Sequence, residues 1–187
     1  MFKNNKLLEL SISIQLIIIS QMIPIYISLP KDQNYLEIYN IPLNWQISSI
    51  IFLTILYGAD LIFNSLIIYI FIGLLLLPVF HDGGSLGYLN TPNFGYVLGL
   101  FPMVKIINKL HKKNQFDLLT FLKYATISIF IMNLVGIGYL IIQLILFNEH
   151  NLIIYNISKF SLGKILFEFL MLFPVLLFLK PFKKIKY

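Results

Sequence analysis

Apolar residues in this chain fall in long runs, not in the short amphipathic patterns of a soluble domain. Leu7 to Leu29 is the first run, long enough to cross a hydrocarbon core of about 30 Å. It exceeds a secretory apolar region, and no small-residue cleavage site closes it. Gln15, Gln21 and Pro24 interrupt it, so this helix is expected to turn polar side chains toward protein neighbours. Pro30 to Asn44 is polar and mixed, with Lys31, Asp32 and Glu37, and reads as an external loop. Trp45 suits a membrane interface. Ile47 to Tyr57 is short, and makes a thin span if it extends back to Pro42. After the break Gly58-Ala59-Asp60 come Leu61 to Leu77, Asn93 to Asn108, Leu118 to Phe147 and Phe160 to Leu179, for six predicted spans. Gly136 and Gly138 are spaced for a close helix crossing.

Between the third and fourth spans the pattern changes. Leu77 to Pro102 holds five of the ten glycines and three of the eight prolines. Glycine permits close backbone approach and positive φ, and proline fixes φ and removes a donor. Their concentration here predicts a shaped loop forming one wall of a binding cavity.

Composition makes the membrane reading firm. The 187 residues are 58% hydrophobic and 12% charged, with mean hydropathy +0.84. A soluble domain is about half apolar and a quarter charged. The predicted fold is an all-α membrane bundle of six transmembrane helices in a single domain, residues 1–187. There is no cysteine, so disulfides and thiolate chemistry are excluded. The net charge of +6 comes from lysines that flank apolar runs, which orients the chain and does not point to nucleic acid. With an internal N-terminus, eleven lysines fall on internal segments. Only Lys31 and Lys159 fall outside, and Lys164 lies within a span. Both termini are therefore predicted to be cytoplasmic, and the Gly/Pro loop external.

Asp60, Lys164 and Glu168 are among the ionisable residues at or within spans. Lys164 and Glu168 are four apart and share a helix face. They form either an internal ion pair or a cavity cation with its orienting carboxylate. Asp60 is read as a helix N-cap. His81-Asp82 suggests acid/base chemistry, but sequence neighbours rarely converge on one reacting atom. Ser85 lacks an evident base. No phosphate-binding loop or zinc spacing appears, so no metal or cofactor is predicted. The aromatics Trp45, Tyr69, Phe80, Tyr88, Phe94 and Tyr96 serve either as an interfacial belt or as a surface for a flat ligand.

Leu77-Pro78-Val79-Phe80 with Gly83, Gly84 and Gly87 resembles the BioY family, the biotin-binding S subunits of energy-coupling-factor (ECF) vitamin transporters. The family's Gly-Pro-Thr-Gly-Gly-Tyr and Leu-x-Gly-Phe segments are met by Thr91-Pro92-Asn93-Phe94-Gly95-Tyr96 and Leu98-Gly99-Leu100-Phe101. Pro92, Gly95, Tyr96 and Gly99 match; Asn93 and Phe94 depart. Pro42-Leu43-Asn44-Trp45-Gln46 is similar to the family's entry to helix two, and Tyr69 to Gly73 to its Tyr-Leu-x-x-Gly step. Near the last helix the family carries Pro-Gly-Asp-x-x-Lys. Here Leu162-Gly163-Lys164-Ile165-Leu166-Phe167 takes its place, with Gly163 aligned, and Lys164 with Glu168 would restore a paired charge. The family docks its transmembrane T subunit through small residues on helix one; this chain offers Ser11, Ser13 and Ser20.

The resemblance implies an ECF S-component fold, biotin uptake rather than an enzyme activity, and possible T and ATPase partners. It implies residence in a bacterial plasma membrane or an organellar membrane such as a plastid's. The ligand set it implies is Gln46, Tyr69, Phe80, Asn93, Gly95, Tyr96 and Lys164. Asn93, Tyr96 and Gln46 would bond the ureido ring, Phe80 and Tyr69 would pack the thiophane ring, and Lys164 would meet a polar end such as the carboxylate. Loop 81–92 would close over the ligand. The alternatives are another small vitamin on the same fold, or a membrane enzyme using His81 and Asp82.

Overall fold

The structure is a computed structural model and describes residues 6–32, 35–80, 83–113, 115–147, 152–182 and 184–186. Six principal helices follow one another: α1 (Lys6–Met22), α2 (Gln46–Tyr57), α3 (Ala59–Leu75), α4 (Pro92–His111), α5 (Leu118–Leu146) and α6 (Ile153–Leu179). A π-helical turn, Ser158–Leu162, interrupts α6.

The first span departs from the sequence expectation. It ends at Met22, not Leu29, and an antiparallel hairpin of β1 (Pro24–Asp32) and β2 (Tyr35–Asn44) replaces the expected loop. The physical cause begins at Pro24, which cannot donate to a helix and biases Ile23 toward extended backbone. Beyond it, Ile25, Ile27 and Leu29 alternate with Tyr26 and Ser28, the two-residue period of a strand. The hairpin leaves α1 and returns to α2, and the Trp45 N–H donates to the Ser20 carbonyl at 3.0 Å, closing its base.

At twelve residues α2 rises about 18 Å, short of a full hydrocarbon core. It joins α3 through Gly58, whose φ of +85° favours glycine. Asp60 lies in the first turn of α3, where a negative charge favours the helix, but the N-cap is Gly58. The end of α4 braces this junction. The Asn108 side chain accepts from the Ala59 N–H at 3.0 Å, and His111 Nδ1–H donates to the Ile55 carbonyl at 2.9 Å.

Apolar packing runs through the middle, with Ile50, Ile55, Ile62, Leu66, Met103 and Ile107 fully buried. Phe71, Phe130, Leu134, Ile142, Leu166 and Phe173 are exposed, an outward apolar surface that suits lipid contact. The most intimate helix pair is α4 with α5. A Cβ on Gly95 would sit 2.4 Å from Tyr139, one on Gly99 2.6 Å from the Met132 carbonyl, and one on Gly136 2.4 Å from the Tyr96 ring. Gly136 thus serves the predicted close crossing. Gly138 is exposed and has open space around it. Pro102 is accommodated inside α4.

Candidate functional site

Between α3 and α4 the chain lays a tight loop on a glycine surface. Phe80 and Gly83 exchange backbone hydrogen bonds at 2.9 and 3.1 Å, and the Ser85 N–H donates to the Gly73 carbonyl at 3.0 Å. Gly73 has no side chain because the Phe80 ring lies there, where a Cβ would be 2.3 Å from it. Gly84 has none because the Gly73 carbonyl is 2.6 Å from where its Cβ would be. The loop then enters a 3-10 turn, Leu86–Asn90. Tyr139 Oη donates to the Leu89 carbonyl and Gln143 Nε2 to the Asn90 carbonyl, so α5 holds the loop in place from the far side. His81 and Asp82 lie outside the described residues.

This loop presents Tyr88 to a cleft. Its walls are Gln21 from α1, Asn44 from the end of β2, Gln46 and Ile47 from α2, and Asn93, Tyr96, Val97 and Leu100 from α4. Met132 from α5 and Phe160, Lys164 and Glu168 from α6 complete it. The space these residues enclose is partly open to the surroundings. The Gly/Pro-rich stretch therefore does supply one wall.

The predicted site residues divide. Gln46, Asn93, Tyr96 and Lys164 come together on the cleft. Tyr69, Phe80 and Gly95 do not line it. Phe80 stacks behind Tyr88, with ring centroids 4.3 Å apart and planes at 20°, and Tyr69 meets Phe80 edge-on at 5.3 Å. Both are buried, and they act by fixing Tyr88. Gly95 faces Tyr139 at the α4–α5 crossing. Sequence reasoning missed Asn44, Val97, Leu100, Met132 and Phe160 as lining. Gln21 carried a signal, a polar residue in an apolar run. Gln15, which carried the same signal, is exposed.

The polar groups are arranged in three sets. At the base of the hairpin, Asn44 Nδ2 donates to Gln21 Oε1 at 2.7 Å, and Asn44 Oδ1 accepts from the Gln46 N–H at 3.1 Å. On the opposite side the Tyr96 and Ser161 hydroxyls share a hydrogen bond of 2.5 Å, tying α4 to the π-helical turn. Deeper, Asn133 Nδ2 donates to Glu168 Oε2 at 2.9 Å and to the Ile129 carbonyl at 3.1 Å. The Lys164 ammonium lies 5.4 Å from the Phe160 ring centroid and close enough for its charge to act on Glu168.

Some polar atoms are left over. Gln46 Nε2 and Asn133 Oδ1 are buried and close no hydrogen bond among the described residues. The Tyr69 hydroxyl approaches Gln46 without a bond of normal geometry. A buried, unmet donor costs about 1–3 kcal/mol, so Gln46 keeps a stabilising contact in reserve. No cluster of His, Asp or Glu able to hold a metal occurs among the described residues. Among the described residues, the cleft offers amide donors and acceptors, one cation, one carboxylate and aromatic faces.

The sequence profile described as the BioY family matches residues 5–182. A protein described as a probable biotin transporter BioY, from Lysinibacillus sphaericus, is 41% identical over 59 residues. That match covers 32% of this chain and 30% of the relative's length. Among solved structures, the fold matches the crystal structure of the S-component for biotin from an ECF-type ABC transporter. The TM-score is 0.62 at 20% identity, covering 96% of this chain and 95% of the other.

Proposed function

Since this chain belongs to the BioY family, we propose that it is the biotin-binding, membrane-embedded S subunit of an ECF-type transporter. The observation that carries this reading is Gln46 Nε2, a buried donor of a cleft-lining residue that closes no hydrogen bond of normal geometry, with the Tyr69 hydroxyl beside that side chain. A ureido carbonyl is an acceptor of the right kind for it. Asn93 and Tyr96 stand on the same cleft to bond the rest of the ureido group, and the Tyr88 face packs the thiophane ring. Lys164 meets the carboxylate from α6. Tyr69, Phe80 and Gly95 serve the site indirectly, through Tyr88 and the α4–α5 crossing.

The chemistry is capture and release. The lysine distribution supports cytoplasmic termini and a cleft that faces outward. ATP-driven uptake then requires a T subunit and ATPase subunits in the same plasma or plastid membrane.

Calorimetry of biotin with the detergent-purified protein tests this. The expected affinity is nanomolar to micromolar, weakened in Lys164→Ala by about 1–3 kcal/mol, the scale of a charged hydrogen bond. Absence of heat with biotin, but heat with another vitamin from a panel, would transfer the assignment to that vitamin. The replacement of the family's Pro-Gly-Asp-x-x-Lys by the segment around Lys164 is the reason to run the panel.

A further inference from the structure

The cleft carries one basic and one acidic side chain among the described residues, Lys164 and Glu168, both on α6. The other elements that wall it contribute no charge: Gln21 of α1, Asn44 of β2, Gln46 of α2, Tyr88 of the 3-10 turn, Asn93 and Tyr96 of α4 and Met132 of α5. The cation and the carboxylate therefore neutralise one another while the cleft is empty. A ligand that brings its own carboxylate to Lys164 breaks that balance. It leaves two anions and one cation within a membrane-embedded cleft, and an uncompensated charge there costs several kcal/mol.

The Asn133 side chain shows where the balance is restored. Asn133 is 3% exposed and Glu168 5% exposed. The Asn133 amide donates to one Glu168 oxygen at 2.9 Å, while its own Oδ1 is buried with no donor among the described residues. A carboxylate only accepts and cannot serve Oδ1, whereas a carboxylic acid carries an O–H. A protonated Glu168 can thus pair with Asn133 in both directions: amide N–H to acid carbonyl, and acid O–H to amide oxygen.

We propose that ligand binding is coupled to uptake of one proton, which Glu168 takes from solvent as the ligand's carboxylate replaces it as the counter-ion of Lys164. This rests on the biotin reading above, because it needs a ligand with a carboxylate. The exchange conserves charge: carboxylate and proton enter together, and the cleft stays neutral. It makes Glu168 the proton acceptor and Asn133 the partner that holds the protonated acid, roles that neither the sequence motifs nor the cleft's shape assigns. It also makes capture favour the more acidic side of the membrane.

The test is calorimetry of biotin with the intact purified protein near pH 7, in two buffers of different ionisation enthalpy. The buffer dependence of the heat counts the protons. One proton per biotin is expected, with affinity falling about tenfold per pH unit through the neutral range. In Glu168→Gln the biotin that binds should bring no proton with it, and its affinity should not vary with pH through the neutral range. Biotin amide, in which an uncharged carboxamide replaces the carboxylate, should bind the wild-type protein with no proton. That arm does not depend on how the variant folds. Biotin binding without proton uptake, uptake that survives Glu168→Gln, or equal uptake with the amide would each overturn the coupling and leave the biotin reading standing. No binding of biotin at any pH would remove both.

Discussion

Replacing Gln46 by methionine should separate stability from binding. The substitution removes a buried donor that closes no hydrogen bond of normal geometry, while keeping the side chain's length. Thermal stability is expected to hold or rise, and biotin affinity to fall at least about tenfold, the value of one hydrogen bond to a well-placed acceptor. A melting curve and a calorimetric titration on one preparation check both, and unchanged affinity would remove Gln46 from the site. Phe80→Ala should behave in the opposite way. Phe80 is buried among Tyr69, Tyr88 and Gly73, so its loss leaves a cavity costing about 3–5 kcal/mol. Binding would weaken only as Tyr88 loses its support. The sequence made Gln46, Asn93, Tyr96 and Lys164 legible because their residue types and motif positions already suggest contacts. It did not separate a ring that lines a cleft from the ring behind it. Phe80 and Tyr88 carry the same chemistry, and only the loop's path over Gly73 decides which is outermost.

At the scale of elements, the glycines of α4 and α5 set how close the helices lie. Gly136→Ala would place a methyl 2.4 Å from the Tyr96 ring, against a side chain already bonded to Ser161. A lowered melting temperature together with weakened biotin binding is the expected result; retention of both would mean that the crossing tolerates a wider spacing. The start of α5 is fixed electrostatically. Asp117 caps it, accepting from the Thr120 N–H and hydroxyl, and the hydroxyl bond chiefly holds its carboxyl below the ordinary aspartate range. A carboxyl so lowered adds stability above its unfolded pKa, and that increment is lost as pH falls through the folded value. Asp117→Asn should therefore lower the melting temperature slightly at neutral pH and remove part of its decline in acid, as a melting series across pH would record. The six helices were legible from their apolar runs, although the run of α2 is too short to span on its own. The hairpin was not, because Ile23 to Leu29 is as apolar as the helix before it. The two-residue alternation after Pro24 was the available signal, and total hydrophobicity masks it.

For the whole molecule, the lysine distribution and the cleft make a joint prediction about orientation. The chain has no cysteine, so single cysteines report without background. Cysteine introduced at exposed Ser85 should react with a membrane-impermeant maleimide on intact cells, and at exposed Lys112 only after permeabilisation. The reverse pattern would invert the topology and place the cleft on the inner side. The outward surface of α1 differs from what its small residues suggest. Ser13 and Ser20 are buried, Ser20 bonding to the Ile17 carbonyl, so Ser11 is the exposed one of the three. The exposed middle of α1 instead carries Gln15, Leu16 and Ile19.

The glycine-lined crossing also decides which way the cleft can open. Asn93, Tyr96, Val97, Leu100 and Met132 sit on two helices that cannot slide without driving backbone and rings into one another, and that lose close packing at Gly95, Gly99 and Gly136 if they part. Half of the site is therefore a fixed jaw. Polar ties join the facing half across the cleft: Asn44 to Gln21 at the hairpin base, Tyr96 to Ser161 at the π-helical turn, and Asn133 to Glu168 further along α6. Residence time should follow the hinge. Cutting the Tyr96–Ser161 tie with Ser161→Ala would speed ligand escape more than it slows capture, turning a slow-release binder into a fast-exchanging one.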